Sequence, residues 1–261
     1  MRIVFITQDD PIYILPFFDE FFRQELGEIE VAAIFSCKTM GDRGRVRLLR
    51  ELSSLYGMSG LVRLLLRSIG SRIMERLPAR ATAPRFFSVA QICRAFKIPH
   101  ALIGNPNRDE FRNQIAGFAP DLLVSIACPY ILKEKLLSLP PLGCINIHHA
   151  PLPRYKGMMP TFWQMYHGEQ QVGVTIHTMA AKVDEGSALL QEQLPIVKGE
   201  SLDSLIRRTK RHGAHCMLKV LRQIAERSQT TLFLENQPGT YFTFPTAAEM
   251  KEFRRRGFRA I

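Results

Sequence analysis

The sequence predicts an α/β domain built on a mostly parallel sheet flanked by helices, with a basic helical insertion and a short C-terminal extension. Two observations carry the fold class. Short apolar runs alternate along the chain with stretches of helical spacing, the pattern of strand–helix units feeding one sheet. With 46% hydrophobic residues over 261 positions and a mean hydropathy of −0.04, the chain can also bury a substantial core.

The elements follow in order. The run RIVFIT (2–7) suits a buried strand, and residues 12–26 carry helical spacing through Ile14, Phe17, Phe18, Phe21 and Phe22. VAAIFS (31–36) is a second strand, after which the alternation breaks. Residues 43–56 and 59–78 set Leu, Val and Ile at helical spacing between arginines, which predicts two amphipathic helices. The alternation resumes with a helix near 88–97, a strand at His100–Ile103, a helix near 108–117 and the strand LLVSIA (122–127). A helix is expected from about Tyr130 to Ser138, then the strand CINIHH (144–149), which Pro151 and Pro153 prevent from continuing as a regular ladder. A helix near 160–167 and strands at 171–179 and 188–196 come next. A long helix then runs to about Glu226 from Ser201, a suitable N-cap. The tail holds a strand-like TTLFL (230–234) and ends in the basic EMKEFRRRGFR. Residues 1–228 are therefore expected to form one catalytic domain carrying an insertion at about 38–86, with 229–261 as an extension.

Composition excludes several classes. No apolar run approaches the roughly 20 residues of a membrane helix, and the N-terminal MRIVFITQDD lacks the h-region length and cleavage site of a signal peptide. Cys37, Cys93, Cys128, Cys144 and Cys216 are odd in number, with no CxxC pair. They read as reduced thiols in a cytoplasmic protein and not as a zinc site or disulfide framework. The net charge of +11 is concentrated. From Lys38 to Arg85 eleven Lys/Arg stand against Asp42, Glu51 and Glu75. Such a segment is either a solvated helical face or a contact for phosphorylated substrate, nucleic acid or an acidic membrane surface, with Arg63, Arg67 and Arg72 as test positions.

The chemistry centres on the strand 144–149. Ligands of open α/β sheets bind beyond the carboxyl ends of the strands, and Asn146 and His148, two apart, share one face there. An amide donor can stabilise a developing oxyanion, and an imidazole can take or relay a proton near neutral pH. On spacing alone, a structural pair with satisfied hydrogen bonds is the commoner case.

The stretch GCINIHHAPLPRYKG (143–157), followed by GVTIH (173–177) and VDEG (183–186), resembles the folate-dependent formyltransferase family, whose pattern is N-x-H-x-S-L-L-P-x-x-x-G, G-V-T-x-H and D-x-G. The likeness covers residues 100–225 in order and spacing, and APLP (150–153) departs from S-L-L-P. It implies a Rossmann-like formyltransferase fold, 10-formyltetrahydrofolate as co-substrate, no metal, and Asn146, His148 and Asp184 as the catalytic residues. Asn146 would face the oxyanion, His148 would assist proton transfer, and Asp184 would hold a water or the imidazole. By the same resemblance the pteridine would lie against Cys128, Pro129, Tyr130 and Leu132, against Pro151, Leu152 and Pro153, and against Ala180, Lys182 and Val183. His177 is expected to be structural or to support a catalytic residue, His149 to be structural, Phe162 and Trp163 to pack a helix on the core, and Arg154, Tyr155 and Lys156 to be available to a substrate phosphate.

The motifs name the donor and leave the acceptor open. The segment 152–169 is most similar to sugar-type members, so the first expectation is N-formylation of a small amine, phosphorylated or nucleotide-linked, on an amino sugar. Alternatives are a methionyl-tRNA formyltransferase-like enzyme, a formyltetrahydrofolate hydrolase, and a non-catalytic basic module. The tail is short for a tRNA-gripping domain, and a homodimer stays open.

Overall fold

A computed structural model of the chain describes residues 1–38, 45–180, 186–232, 234 and 238–261. In chain order its elements are β1 (Arg2–Gln8), α1 (Leu15–Phe21), β2 (Glu30–Cys37), α2 (Arg45–Met74), α3 (Val89–Phe96), β3 (His100–Ile103), α4 (Asp109–Ala116), β4 (Leu122–Ile126) and α5 (Glu134–Leu137). There follow β5 (Cys144–His148), β6 (Lys156–Gly157), α6 (Pro160–Tyr166), β7 (Gln171–Thr178), β8 (Ala188–Pro195), α7 (Leu202–Ala225), β9 (Tyr241–Phe242) and α8 (Ala247–Arg255).

Seven strands form one sheet in the order β3-β2-β1-β4-β5-β7-β8. The first five are mutually parallel, while β7 runs antiparallel to both β5 and β8. The chain starts at β1, winds outward to β3, and crosses back to β4. The order therefore reverses between β1 and β4, where a crevice opens beyond the strand ends. One sheet face packs on α1 and α7, with Phe5 in edge-to-face contact with Phe18 and Phe21 at 5.2 and 5.3 Å. The other face carries Val4, Ile6, Leu123 and Cys144 against Ile115, Leu136 and Leu137.

The predicted helix at 12–26 contracts to Leu15–Phe21, because Asp10 caps the preceding turn by accepting from the Ile12 and Tyr13 amides at 2.8 and 3.0 Å. The helix expected at Tyr130–Ser138 is only Glu134–Leu137. The residues before it are held extended by Asn107, which donates to the Ile131 carbonyl and accepts from the Lys133 amide. TTLFL makes a single bridge, Leu232 to Ala188, among its described residues. The basic end of the tail, for which the sequence predicts no element, carries α8 behind a full capping box of Thr246 and Glu249.

The basic segment forms α2, which breaks at Gly57 (φ 68°, ψ 173°), a backbone conformation open to glycine. Arg254 of α8 donates to the Ser54 and Leu55 carbonyls freed by that break, at 2.9 and 3.3 Å. Helices α2, α6 and α8 thus share a second core, in which Leu55, Tyr56 and Leu64 meet Phe162, Trp163, Met250 and Phe253. The basic segment and the tail therefore pack together beside α6. Two of the three arginines named as test positions are engaged within the chain, Arg67 with Asp203 at 3.1 Å and Arg72 with Asp9 and Glu75.

Candidate active site

Strand β5 ends at His148, between β4 and β7. In the ladder Asn146 stands beside Ser125 of β4 and opposite His177 of β7, and His148 stands opposite Thr175. All share one face, the face away from α7. Asn146 Nδ2 lies 3.2 Å from His177 Nε2, and His177 Nδ1 lies 2.8 Å from the Thr178 carbonyl. A carbonyl can only accept, so Nδ1 carries the proton and the neutral ring presents Nε2 as acceptor. Asn146 therefore donates one amide hydrogen to His177, which fixes the amide's rotation and leaves the second hydrogen directed elsewhere. His177 is thus more than packing: it orients Asn146.

His148 is buried, and its Nε2 donates to the Tyr155 carbonyl at 2.8 Å. That bond fixes the orientation of the ring. Tyr155 sits in the left-handed region (φ 61°), and its amide donates to Thr240 Oγ1 at 2.8 Å. The neighbouring Lys156–Gly157 pairs with Tyr241–Phe242 as the β6–β9 ribbon. The C-terminal extension therefore pins the loop that pins His148. Neither Thr240 nor the Tyr155 carbonyl was legible in the sequence, since a backbone oxygen in a loop leaves no residue-type signal.

The predicted phosphate contacts on this loop have other work. Arg154 pairs with Glu169 at 2.8 Å, and the buried Tyr155 hydroxyl donates to the same carboxylate at 2.7 Å. Burial, reinforced by Glu169, raises the Tyr155 phenol's pKa, so it stays protonated and keeps donating. Phe162 and Trp163 are core residues, as expected, and the Trp163 indole donates to the Thr243 carbonyl at 3.0 Å.

The three segments expected around the pteridine follow adjacent strands. Cys128, Pro129, Tyr130 and Leu132 follow β4 at the crevice, through a left-handed turn at Ala127 (φ 50°). Leu132 is buried in the core beneath this loop, so its side chain faces away from solvent. A side-chain hydrogen bond from Cys37 and a backbone one from Tyr130 lower the Cys128 thiol's pKa against its burial. Pro151, Leu152 and Pro153 follow β5. Thr175 ties this turn down, accepting from the Leu152 amide at 3.3 Å and donating to the Ala150 carbonyl at 2.7 Å. Ala180 is exposed after β7, whereas Lys182, Val183 and Asp184 lie outside the described residues.

The motif glycines have steric reasons. A Cβ on Gly173 would overlap the Ala150–Pro151 backbone, and one on Gly186 would overlap the Thr178 carbonyl. Each marks a place where two backbones of the site touch.

His149 faces the opposite side, against Gly213 of α7. Burial first, then the Lys210 charge, holds its pKa well below the usual range, so it is neutral. Lys210 is itself buried, with Asp10 the nearby opposite charge. Among the described residues one group could hold a metal: Glu192, His212 and Cys216, with ligand atoms within 4.8 Å of one another. Glu192 pairs with Val174, so the group lies on the α7 side, away from Asn146 and His148. Glu192 already accepts from Cys216 and Lys219.

The formyl transferase family model matches residues 60–221, well over half of the chain. The chain belongs to this family. The match opens inside α2 and closes near the end of α7, enclosing β3–β5, β7, β8 and the site described above. Methionyl-tRNA formyltransferase of Syntrophus aciditrophicus is 44% identical over 104 residues, covering 40% of this chain and 33% of that protein. The chain therefore spans about a third of that curated relative's length. Among solved structures, glycinamide ribonucleotide transformylase 1 from Symbiobacterium toebii superposes with a TM-score of 0.59 at 18% identity, covering 87% of this chain and 88% of that one. An N-formyltransferase from Helicobacter canadensis, in complex with folinic acid and dTDP-3-aminofucose, gives 0.56 at 14% identity, covering 92% and 70%. At these identities the structures establish a shared formyltransferase fold.

Proposed function

We propose that this formyl transferase family member moves a formyl group from 10-formyltetrahydrofolate to the amine of a small acceptor, with a nucleotide-linked amino sugar as first choice. The observation that carries the reading is the Asn146–His148 pair on β5, each locked by its own partner in a family member whose motifs surround it. The folate supplies an activated formyl carbon. The chain's residues supply the rest.

Asn146, oriented by His177, directs its second amide hydrogen to the oxygen that gains charge as the amine attacks. Contacts of this kind are worth about 3–4 kcal/mol when removed. His148, its ring oriented by the Tyr155 carbonyl, would assist proton transfer from the attacking amine. Asp184 would return that proton to the leaving nitrogen through water or the imidazole. The β4 loop, held rigid by Asn107, and the turn tied by Thr175 would flank the pterin. Holding both reactants together is the other large contribution.

The sugar reading is supported by the Helicobacter canadensis structure with a nucleotide-linked aminofucose on the same fold. A second reading, transfer to methionyl-tRNA, is favoured by the names of the curated relatives. The same proposal places the reaction in the cytoplasm, where the five free cysteines would stay reduced. The test follows tetrahydrofolate release from 10-formyltetrahydrofolate with nucleotide-linked amino sugars, methionyl-tRNA, glycinamide ribonucleotide, or no amine. Sugar-dependent release that vanishes in His148→Ala supports the proposal, and tRNA-dependent release moves it to the second reading. Release without amine indicates a hydrolase, and no turnover with any acceptor refutes an enzymatic role.

A further inference from the structure

The second half of α2 is apolar on two sides, and the fold covers only one. Leu61 and Leu64 are buried towards the protein, while Met58, Val62, Leu66, Ile69 and Ile73 are each 50–69% exposed. Their spacing of 4, 4, 3 and 4 residues sets them in one stripe along the outer surface. Leu65, Met74 and Leu77 widen it. A helix apolar all round belongs in a core or against an apolar phase, and a contiguous exposed stripe of this kind marks an interaction surface.

The charge of the surroundings selects the partner. From Leu52 to Arg108 the sequence contains one acid, Glu75, and that carboxylate is paired with Arg72. Arg67 and Arg72 point inward and bolt the helix to Asp203 at the start of α7 and Asp9 at the end of β1. Arg63, Arg76 and Arg80 are exposed beside the apolar stripe, with no ion pair among the described residues. A second copy of this chain laid on the stripe would set these arginines against their own counterparts. A nucleic acid would satisfy the arginines and leave the Leu and Ile side chains wet. An anionic lipid surface meets both, taking the apolar side chains into the acyl boundary and the guanidinium groups among its phosphates.

We propose that the outer face of α2 from Met58 to Met74, with Leu77 in the turn that follows, seats this protein peripherally on an anionic bilayer. The helix lies in the interface plane and does not cross it, in keeping with the finding that no helix among the described residues is long and apolar enough to span a membrane. The site residues on β5 lie outside the contact, so docking and formyl transfer are separable.

The experiment is flotation of the full chain with vesicles of phosphatidylcholine alone or with phosphatidylglycerol, beside light-scattering mass measurement without lipid. The expected result is flotation with the phosphatidylglycerol vesicles only, weakened by salt. Ile69→Glu and the triple Arg63→Gln, Arg76→Gln, Arg80→Gln variant should each lower partitioning by about tenfold or more. Both should retain the parent's thermal melt and its formyl transfer in solution. Equal partitioning onto both lipid compositions, or binding that Ile69→Glu leaves intact, overturns the proposal. So does a stable dimer that Ile69→Glu converts to monomer without any lipid binding by the parent, or retention by RNA in place of vesicles. Because vesicle binding is read without any acceptor, its failure is distinguishable from failure of the proposed reaction.

Discussion

Replacing His177 by Ala tests whether the ring acts on the reaction through Asn146. In the structure His177 bridges the Thr178 carbonyl and the Asn146 amide, at 2.8 and 3.2 Å. Removing it frees Asn146 to rotate about χ2 and deletes two neutral hydrogen bonds, each contributing about 0.5–1.5 kcal/mol. The direct loss at Asn146→Ala is set by the oxyanion contact, about 10²–10³ in kcat. His177→Ala should cost less, about 5–50-fold, because a rotating amide still reaches the oxygen part of the time. The assay is a double-mutant cycle on kcat with a saturating acceptor, alongside KM for the folate. If His177 works through Asn146, the double variant falls no further than Asn146→Ala alone, and the folate KM moves little. Additive losses would refute the positioning role, as would a His177→Ala variant at full activity.

Three further outcomes follow from single contacts. Burial pushes the Lys210 ammonium down to about 8 from 10.5, so the unfolded chain binds more protons between those values and stability should rise with pH across that window. Lys210→Met should flatten that rise; urea melts at pH 7 and pH 10 with parallel changes in both proteins would contradict it. Gly186→Ala, whose methyl would overlap the Thr178 carbonyl, should cost about 1–3 kcal/mol in the same melts, and a change under about 0.5 kcal/mol would show that the contact yields freely. Gly57→Ala places a side chain at φ 68° in open space, so strain alone should cost about 1–3 kcal/mol, with an unchanged melting temperature counting against the break being held by the fold.

The sheet was legible because its strands are buried on both faces and read as unbroken apolar runs, so 2–7, 122–127, 144–149 and 171–179 fall within two residues of β1, β4, β5 and β7. Ser201 announced α7 by a cap the structure shows, accepting from the Ser204 amide. Helix ends near Asp10 and Asn107 were not legible, because a side chain distant in sequence or an Asx-type turn claims the backbone there. The helix α8 left a signal that charge obscured: Thr246-x-x-Glu249 is a capping box in the sequence itself. In the site, Asn146 and His148 were visible as residue types at one spacing. Their partners were not, since His177 meets Asn146 only through the antiparallel register of β5 and β7.

The same register argument changes what the tail is for. Read along the chain, 229–261 is an appendage. In space, Thr240 holds the Tyr155 amide, Tyr241–Phe242 pairs with Lys156–Gly157, and Phe242 stacks on Tyr155 at 5.6 Å and on Trp163 at 4.6 Å. Each of these contacts bears on the loop whose Tyr155 carbonyl accepts the hydrogen bond from His148 Nε2. The imidazole is held by that bond only while the carbonyl stays within about 3 Å, and a loop with a left-handed tyrosine has no internal ladder to keep it there. The extension supplies the ladder. Damage to the tail should therefore reach the reaction through the orientation of His148 before it reaches the stability of the sheet, whose seven strands exclude β6 and β9.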